Sequence, residues 1–410
     1  MLKHKNWLVL VLLVLFLSAC SKEKEKTAKV LKEQPTNIPI DNDLSKRLAE
    51  FAAKPRVKGK FAFHVYDLTA AKSVYGCNEK ESLPTASCMK LLTGVAGLHL
   101  LGTKYKYKYK TSVYTRGKVK DGVLMGDVSF KGGLDPQLNA PELAAFFKAI
   151  KQKGIKKIAG RFIVDLTIKD PVKSEHHWYP WDLSFSKYGL FYKGGNVVVK
   201  NLKTAMRGQG IVLADSQVVM GRVPQGSKCI YSYQRSIEDV IKRMWKNSSN
   251  TQATALLYSI GNHENPNVSP VDAGVAYLRK FLSLTLMQKD SLLTIHDGCG
   301  LCTHNRLTPV ALTSVLRFGY NDSSIYKILH EQLSVSGVDG TLAREMTGQK
   351  TRGKIRAKTG TLSHPYGISS LAGYCKGANG HMLAFAIMDS EMSVLDARVL
   401  QRKLCEVLVK

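Results

Sequence analysis

The sequence predicts an α+β protein in which a β-rich segment is inserted into one discontinuous domain. Three observations support this prediction: strand patterns lie near both ends of the globular part, helical patterns fill its middle, and a long strand-like interval precedes that middle. Strands at the two ends can bury their apolar faces together by joining one sheet, so the two ends are expected to meet. With 410 residues and 44% hydrophobic residues, the chain can bury one large core or two smaller ones.

The first 20 residues have the pattern of a secretion signal. Lys3 and Lys5 precede an apolar run, Leu8 to Leu17, that is too short to span a bilayer as a mature helix. The run ends in L-S-A-C, and small residues before a cysteine resemble the lipobox of bacterial lipoproteins. Residues 1–20 are therefore interpreted as a lipoprotein signal peptide, with Cys20 lipidated and the mature chain anchored on the periplasmic side of a bacterial membrane. The alternative is an ordinary cleaved signal with a coincidental cysteine.

Residues 21–42 are predicted to be a flexible tether, because they are charged, poor in aromatic residues and interrupted by prolines. The discontinuous domain is then assigned to residues 43–102 and 235–410, and the inserted β-rich domain to residues 103–234. Turn signals within the insertion lie at Asp121-Gly122, Gly132-Gly133, Gly195-Asn196 and Gln225-Gly226.

The elements of the discontinuous domain are predicted from the spacing of its apolar residues. Early on, the spacing predicts a helix over residues 44–53, paired strands over 60–68 and 72–77, and a helix that opens at Ser87. Later helices are predicted over residues 236–261, 270–284, 308–320, 323–333 and 394–408, and later strands over residues 353–363, 367–375 and 381–389.

The insertion opens with lysine and tyrosine alternating from Lys104 to Lys110. This alternation is typical of a strand with one aromatic and one charged face, so a half-buried strand is predicted and RNA stacking on the tyrosines is rejected. The formal net charge of +28 does not indicate nucleic acid either, because an exported protein rarely meets DNA and the lysines are spread along the chain. Anionic lipid headgroups and the phosphates or carboxylates of a cell envelope fit better.

A Ser-x-x-Lys pair, Ser87 and Lys90, opens the second helix directly after a strand. Residues three apart lie on one helical face with Cβ atoms about 5–6 Å apart, so the lysine nitrogen can approach the serine hydroxyl. A serine becomes a good nucleophile when a base takes its proton, and a lysine can act as that base if burial or a second cation lowers its pKa. The pair therefore predicts an activated serine with a second cation nearby.

The second cation is expected from Lys358-Thr359-Gly360 in a late strand. There the ammonium supplies positive charge, the threonine hydroxyl can bind a carboxylate, and the glycine leaves room for substrate along the strand edge. A third motif, Ser248-Ser249-Asn250, offers a hydroxyl and an amide that can point at one ligand. Each motif alone occurs by chance, but their order and context match the set found in penicillin-binding proteins and β-lactamases.

A wider set of segments carries a family resemblance, and it covers most of residues 58–390. The segments are LPTASCMKLLTG, GVLMGDVSFKGGLDPQL, KGIKKIAGRFIVD, KNSSNTQATALLYSIG, HDGCGLCTHNRLTP, SGVDGTL and AKTGTLSHPYGISSLAGY. Together they resemble the low-molecular-mass, class C penicillin-binding proteins, the type 4 family of D-alanyl-D-alanine carboxypeptidases/endopeptidases. The resemblance implies the β-lactamase/DD-peptidase fold, an antiparallel sheet flanked by helices with a helical lobe, and extra domains inserted between the first two motifs.

The resemblance also implies a role for each matching residue. Peptidoglycan stem peptides are the implied substrates, β-lactam antibiotics the implied covalent inhibitors, and neither a metal nor another cofactor is implied. The implied catalytic residues are Ser87 as nucleophile, Lys90 as its base, Ser248 as the proton relay to the leaving amine, and Lys358. The implied substrate-binding groups are Asn250 for the peptide amide, Thr359 with Lys358 for the terminal carboxylate, Gly360 at the strand edge, and the N–H groups of Ser87 and Thr361 as oxyanion hole.

Several positions depart from the usual family pattern. Ser249 stands where the family usually has Asp, Cys299 and Cys302 stand in place of serines, and Cys88 beside the nucleophile is unusual. None of these changes removes an implied catalytic atom. The span between the first two motifs is shorter than usual, so an inserted domain is expected to be trimmed.

Two other functions stay open. A secreted serine β-lactamase would share the fold, but it needs a strong base for deacylation, and the sequence contains no E-x-x-L-N element to supply one. A non-catalytic lipoprotein of the same fold that binds the cell envelope is the second alternative, because of the unusual cysteines.

Other reactive residues are interpreted as structural. The pair Cys299 and Cys302 lacks a second cysteine pair or histidine partners, so a local disulfide or two packed thiols fits better than a metal site. His176 and His177 are adjacent and cannot both face one metal on a regular element. The remaining structural assignments are His304 and Arg306, expected to brace the helical lobe, and Asp135, expected to serve a turn.

Overall fold

The computed structural model describes residues 36–54, 58–175, 178–179, 182–183, 187–363 and 367–410. The signal peptide with Cys20, most of the tether, and the pair His176 and His177 lie outside these ranges, so the interpretations that concern them stay predictions. Within the described ranges, no helix has both the length and the apolar character needed to cross a membrane.

Helices and strands are interspersed along the described part of the chain. The helices are α1 (Asn42–Ala53), α2 (Met89–Leu101), α3 (Ala140–Gln152), α4 (Gly195–Gly208), α5 (Ile237–Lys246), α6 (Asn250–Glu264), α7 (Pro270–Lys280), α8 (Pro309–Asn321), α9 (Ser323–Gln332) and α10 (Val394–Leu408). The strands are β1 (Lys60–Asp67), β2 (Lys72–Cys77), β3 (Leu83–Pro84), β4 (Lys108–Lys120), β5 (Val123–Gly132), β6 (Lys157–Ile158), β7 (Phe162–Leu166), β8 (Val218–Met220), β9 (Lys228–Ser236), β10 (Arg306–Leu307), β11 (Ser334–Val335), β12 (Ile355–Leu362), β13 (Ile368–Lys376) and β14 (Met382–Ser390).

A six-stranded sheet joins the two ends of the described chain, in the order β11-β12-β13-β14-β1-β2. Every neighbouring pair in it is antiparallel. β1 pairs with β14 along its whole length, from Lys60 opposite Ser390 to Asp67 opposite Leu383. The early strands therefore lie in the same sheet as the late ones, as the sequence predicts.

Helices cover both faces of this sheet, because its central strands are apolar on both sides. Phe63 and Phe385 belong to one core together with Leu48 of α1 and Leu404 of α10. Alternate residues such as Ala386 belong to the other core, which contains the apolar residues of α2, α5, α6 and α8. The predicted α+β class, an antiparallel sheet flanked by helices with a helical lobe, is confirmed.

A second sheet is formed by the inserted segment, in the order β8-β7-β5-β4-β9, with β6 also paired to β5. β4 is antiparallel to β5 and β9, whereas β5 with β7 and β7 with β8 are parallel. Parallel neighbours need long crossover connections, and α3 and α4 lie in those connections. A second β-rich domain is confirmed. The sequence interpretation of residues 103–234 as strand-like missed its two helices, α3 and α4. The boundaries of this domain at residues 103 and 234 stay a prediction.

The start of the insertion corrects one sequence-based expectation. β4 begins at Lys108, so the strand predicted from Lys104 is wrong for its first four residues. The chain turns there through backbone hydrogen bonds to Thr103 O. Tyr105 is consequently 86% exposed, whereas Tyr109, within the strand, is 1% exposed.

Candidate active site

Ser87 lies in a short 3₁₀ turn between β3 and α2. β3 pairs with β10, and Arg306 of β10 donates to Ser82 O, just before β3, at 2.5 Å. Ala86 has a φ of +42°, and a Cβ on Gly300 would lie 1.8 Å from Ala86 O. A non-glycine residue holds a positive φ only where its surroundings fix it, so the backbone beside Ser87 is constrained from two sides.

Lys90 is completely buried one helical turn after Ser87. Its Nζ lies 2.7 Å from Ser87 Oγ. It also lies 2.7 Å from Asn250 Oδ1 and 2.5 Å from Cys299 O. Burial penalises the charged form and lowers the pKa of Lys90, against smaller opposing effects of which Cys299 gives the largest. A neutral amine can donate to both carbonyl oxygens while its lone pair accepts the Ser87 hydroxyl, so these surroundings fit an uncharged lysine.

Lys358 is the second buried lysine and lies on β12. Its Nζ donates to Ser248 Oγ at 2.8 Å and to Thr359 O at 2.5 Å. Burial, followed by the positive charge that Lys90 carries when it is protonated, lowers the pKa of Lys358 to about 7. The lysine of the third motif therefore contacts the serine of the second motif and is electrostatically coupled to the lysine of the first.

The second motif forms the link between α5 and α6. Ser248 has a φ of +55°, and Asn250 is the first residue of α6. The middle residue, Ser249, places its Oγ 3.1 Å from Thr251 Oγ1. The two outer side chains thus contact the two lysines, while the position that departs from the family pattern contacts its own helix.

The open edge of β12 borders Ser87. β11 pairs with β12 only as far as Ala357, so beyond this residue no strand of the described chain covers that edge. A Cβ on Gly360 would lie 3.0 Å from Ser87 N, 2.8 Å from Thr85 O and 2.2 Å from Ser370 Oγ. Only glycine lets β12 approach the nucleophile this closely.

Asp297 is a site residue that the sequence interpretation missed. Its carboxylate is 1% exposed, and it fixes the turn that presents Cys299 O to Lys90. The signal was the Asp-Gly pair in HDGCGLC, because Asp commonly binds N–H groups two and three residues further on. The groups that donate to Asp297 are the backbone N–H of Cys299, Gly300 and Cys302, at 2.9, 2.6 and 2.8 Å, and the side chains of Trp178 and Asn305, at 2.8 and 3.0 Å.

Cys299 and Cys302 are both buried free thiols, so of the two alternatives the packed pair is found and the disulfide is not. Cys88 is also a buried free thiol, and its Sγ donates to Lys358 O at 3.2 Å. Among the described residues, no group of three His, Cys, Asp or Glu side chains is arranged to hold a metal ion.

Asp135 makes the predicted turn contact and a second, longer-range one. It accepts from Gln137 N at 2.8 Å and from Arg235 Nε at 2.9 Å, and it is completely buried. Gln137 Nε2 in turn donates to Gln252 Oε1 at 3.1 Å. These contacts tie the inserted segment to α6, two residues after Asn250.

Two cavities meet at Ser248. One has a volume of about 340 Å³ and extends from Ser87 past Thr341 to α10. The other has a volume of about 530 Å³ and lies between the second motif and the inserted segment. The first cavity is lined by five of the predicted site residues, Ser87, Ser248, Thr359, Gly360 and Thr361. The second cavity is lined by Ser248 and Asn250. Behind these residues lie the buried side chains of Lys90 and Lys358.

Comparison with known proteins gives a family match over nearly all described residues. Residues 44–188 and 193–409 match the model of the D-Ala-D-Ala carboxypeptidase 3 (S13) family. The D-alanyl-D-alanine carboxypeptidase of Actinomadura sp. (strain R39) is 24% identical over 427 residues, which cover 80% of this chain and 77% of that protein.

Solved structures share the fold at low sequence identity. Penicillin-binding protein 4 from Haemophilus influenzae has a TM-score of 0.72 at 18% identity, covering 91% of this chain and 100% of that chain. A penicillin G-acylated predatory endopeptidase from Bdellovibrio bacteriovorus, solved with an immunity protein, has a TM-score of 0.52 at 18% identity, covering 84% of this chain and 90% of that chain.

Proposed function

Because the chain belongs to the D-Ala-D-Ala carboxypeptidase 3 (S13) family, we propose that Ser87 is the nucleophile with which it cleaves peptidoglycan stem peptides. The family match confirms the resemblance predicted from the motifs, and the protein is a serine-type D-Ala-D-Ala peptidase of the penicillin-binding kind. We assign each step of that reaction to a particular side chain.

In the acylation step, neutral Lys90 takes the proton of Ser87 as Oγ attacks the carbonyl carbon of the penultimate D-alanine. The tetrahedral intermediate then collapses, and the bond from carbon to the leaving nitrogen breaks. Ser248 gives its proton to that nitrogen and takes one from charged Lys358. The products are an ester on Ser87, a protonated Lys90, a neutral Lys358 and the free amine.

In the deacylation step, water attacks the ester and restores both lysines. Ser87 Oγ recovers a proton from Lys90 as it leaves. The proton that water loses reaches Lys358 through Ser248. The lowered pKa values of both lysines support this scheme, because each amine must gain and lose a proton near neutral pH.

Other groups bind the substrate. Lys358 in its charged form and Thr359 face the terminal carboxylate, and Asn250 holds a peptide amide. The backbone N–H groups of Ser87 and Thr361 stabilise the oxyanion, a role worth about 3 kcal/mol per donor in comparable sites. The close approach of Gly360 to Ser87 N supports this, because it brings the two N–H-bearing segments together.

One observation carries the proposal: two buried lysines each contact a serine at the same cavity. Lys90 Nζ lies 2.7 Å from Ser87 Oγ, and Lys358 Nζ lies 2.8 Å from Ser248 Oγ. If Ser87 and Lys90 merely marked the start of a helix and the two lysines had no catalytic role, the lysines would be exposed to solvent and neither contact would form.

Labelling with a fluorescent penicillin tests the proposal. The wild-type protein should form a stable covalent adduct, and Ser87→Ala should form none. Ser291→Ala, which removes an exposed hydroxyl far along the chain, is the matched control and should label like the wild type. Mass spectrometry of a muropeptide pentapeptide and a cross-linked dimer should show the loss of one alanine or the splitting of the dimer.

The two alternatives give different results in the same assays. A β-lactamase would turn over a chromogenic cephalosporin many times per second instead of retaining the label. A non-catalytic envelope-binding protein would neither label nor change the muropeptides. Either result would contradict the proposed peptidase.

We propose further that the protein is exported and anchored in the cell envelope by lipid on Cys20, on the periplasmic side of the membrane. The apolar run Leu8 to Leu17, which is followed directly by S-A-C, supports this. Cells grown with labelled palmitate should yield a labelled protein, and Cys20→Ser should abolish the label. Unchanged labelling of Cys20→Ser would contradict the anchor.

A further inference from the structure

The cavity beside Ser87 is longer than a single leaving D-alanine requires. Besides the site residues, it is lined by Thr341, Leu342, Glu345 and Met346 from the segment before β12, by Ser369 and Ser370 of β13, and by Arg398 and Gln401 from α10. A D-alanine has one methyl group and one carboxylate, so it would occupy only the part next to Ser87 and Thr359. The remaining length is available to another part of the substrate.

Part of the extra length adjoins Thr359, the residue proposed to face the leaving group. Thr359, proposed to face the carboxylate of the departing residue, donates to Thr341 Oγ1 at 2.8 Å. Thr341 begins the segment that continues through Leu342 to Glu345 and Met346. A leaving group longer than D-alanine would therefore extend along these residues.

The far end of the cavity carries an ion pair. Glu345 Oε1 lies 3.2 Å from Arg398 Nη1, and their side chains are 35% and 45% exposed. An ion pair as exposed as this contributes little stability, so a ligand can compete for it at small cost. A guanidinium has five N–H donors in a planar fork, more than one carboxylate can fill, so Arg398 can bind a second carboxylate.

We infer that this end of the cavity binds the departing strand of a cross-linked stem peptide, with Arg398 contacting a carboxylate of that strand beyond the one at the cleaved bond. The inference rests on the proposed function. A departing strand joined through a diamino acid has a methylene chain, which fits the apolar side chains of Leu342 and Met346, and it continues into a peptide with further carboxylates. Arg398 would then be a specificity-determining residue that favours endopeptidase over carboxypeptidase cleavage.

Three substrates and three variants test this inference. The substrates are a pentapeptide, a cross-linked peptide dimer, and the same dimer with the carboxylates of its departing strand beyond the cleaved bond converted to amides. The variants are Arg398→Ala, Arg398→Lys, and Arg402→Ala as control, because Arg402 is exposed on the same helix one turn away and does not line the cavity. The measurements are kcat/KM and the rate of fluorescent-penicillin labelling.

Arg398→Ala should lower kcat/KM for the free-acid dimer about tenfold or more, the size expected for one charge-assisted hydrogen bond. It should change pentapeptide cleavage and penicillin labelling less than twofold, and its preference for the free-acid over the amidated dimer should disappear. Arg398→Lys should recover part of that preference, and Arg402→Ala should behave like the wild type.

Equal losses on all substrates, or an unchanged preference for the free-acid dimer in Arg398→Ala, would overturn the inference while the peptidase assignment stands. A wild-type protein that cleaves neither pentapeptide nor dimer would overturn the proposed function, and the inference with it.

Discussion

Lys358 Nζ lies 2.8 Å from Ser248 Oγ, although 110 residues separate the two in the chain. The contact between Lys90 and Ser87 needs only a helical turn, because the two are three residues apart. The distant contact needs the sheet to bring β12 against the link between α5 and α6. Since the charge of Lys90 contributes to the lowered pKa of Lys358, the folded chain couples the two pairs electrostatically as well as sterically.

The pKa of Lys358 predicts a pH dependence for substrates with a terminal carboxylate. A lysine is charged below its pKa, and burial together with Lys90 lowers this pKa to about 7. The value of kcat/KM for a pentapeptide should therefore fall as pH rises through about 7, because the cation that faces the carboxylate is lost. A pentapeptide with a terminal amide is the comparison, and it should keep only the part of the decline that comes from the proton Lys358 supplies through Ser248. A decline first seen near pH 10, or declines of equal size for the two substrates, would contradict the prediction.

Gly360→Ala should abolish acylation by a fluorescent penicillin. The new Cβ would lie 2.2 Å from Ser370 Oγ and 2.8 Å from Thr85 O, so β12 must move away from Ser87. Forcing a methyl group into such a contact costs about 1–3 kcal/mol of stability. Gly208→Ala is the control, because its Cβ would meet nothing within 4 Å, and it should label normally. Normal labelling of Gly360→Ala would mean that the close approach is not needed.

The elements with strong apolar patterns can be predicted from the sequence. The spacing predicts the last helix over residues 394–408, and α10 spans Val394–Leu408. The late strands β13 and β14 lie within a residue or so of their predicted ranges, because both are rich in apolar residues and are buried along nearly their whole length. The three motifs can be found for a similar reason, since each combines a fixed spacing with a recognisable local element.

The features that the sequence does not predict depend on contacts between distant segments. α4 begins with Gly-Asn-Val-Val-Val, a β-branched run that favours a strand locally. It is helical because Val198, Leu202 and Met206 share one face and are buried in the second core. The sequence can indicate the local turn contacts of Asp297 but not its contact with Trp178, which comes from the insertion.

Asp297→Asn should destabilise the protein and change its pH profile. An amide in place of one carboxylate oxygen would point a donor at backbone N–H groups that are themselves donors, which costs about 1–3 kcal/mol in a buried site. Because the negative charge of Asp297 raises the pKa of Lys90, its removal should lower that pKa further and move the ascending limb of kcat/KM to lower pH. Thermal unfolding and the pH profile of acylation measure the two effects.

The control for this substitution is Asp290→Asn, an exposed residue in the same connection whose carboxylate accepts from Leu292 N. It should change the free energy of unfolding by less than about 0.5 kcal/mol and leave the pH profile unchanged. A loss of stability in Asp297→Asn without a shift of the ascending limb would assign Asp297 a purely structural role.

His64 predicts acid sensitivity of the fold, separate from catalysis. Its ring lies between Thr313 Oγ1, at 2.7 Å, and Ser73 Oγ, at 2.9 Å. Thr313 also donates to backbone carbonyls of its own helix, so its hydroxyl can accept from Nδ1–H while Nε2 accepts from Ser73, an arrangement that fits the neutral ring. Burial lowers the pKa of His64 to about 4, against 6.5 in the unfolded chain.

At a pH between these two pKa values, His64 binds a proton in the unfolded chain but not in the folded protein. The free energy of unfolding should therefore fall as pH drops from about 6.5 to 4. The loss in the free energy of unfolding that is due to His64 should reach about 3 kcal/mol at the acid end of this range. Urea unfolding across this range should show a flatter pH dependence in His64→Gln, whose amide can still donate and accept. His263→Gln, on the surface, should keep the wild-type slope. An equal slope in all three proteins would show that the acid sensitivity arises elsewhere in the molecule.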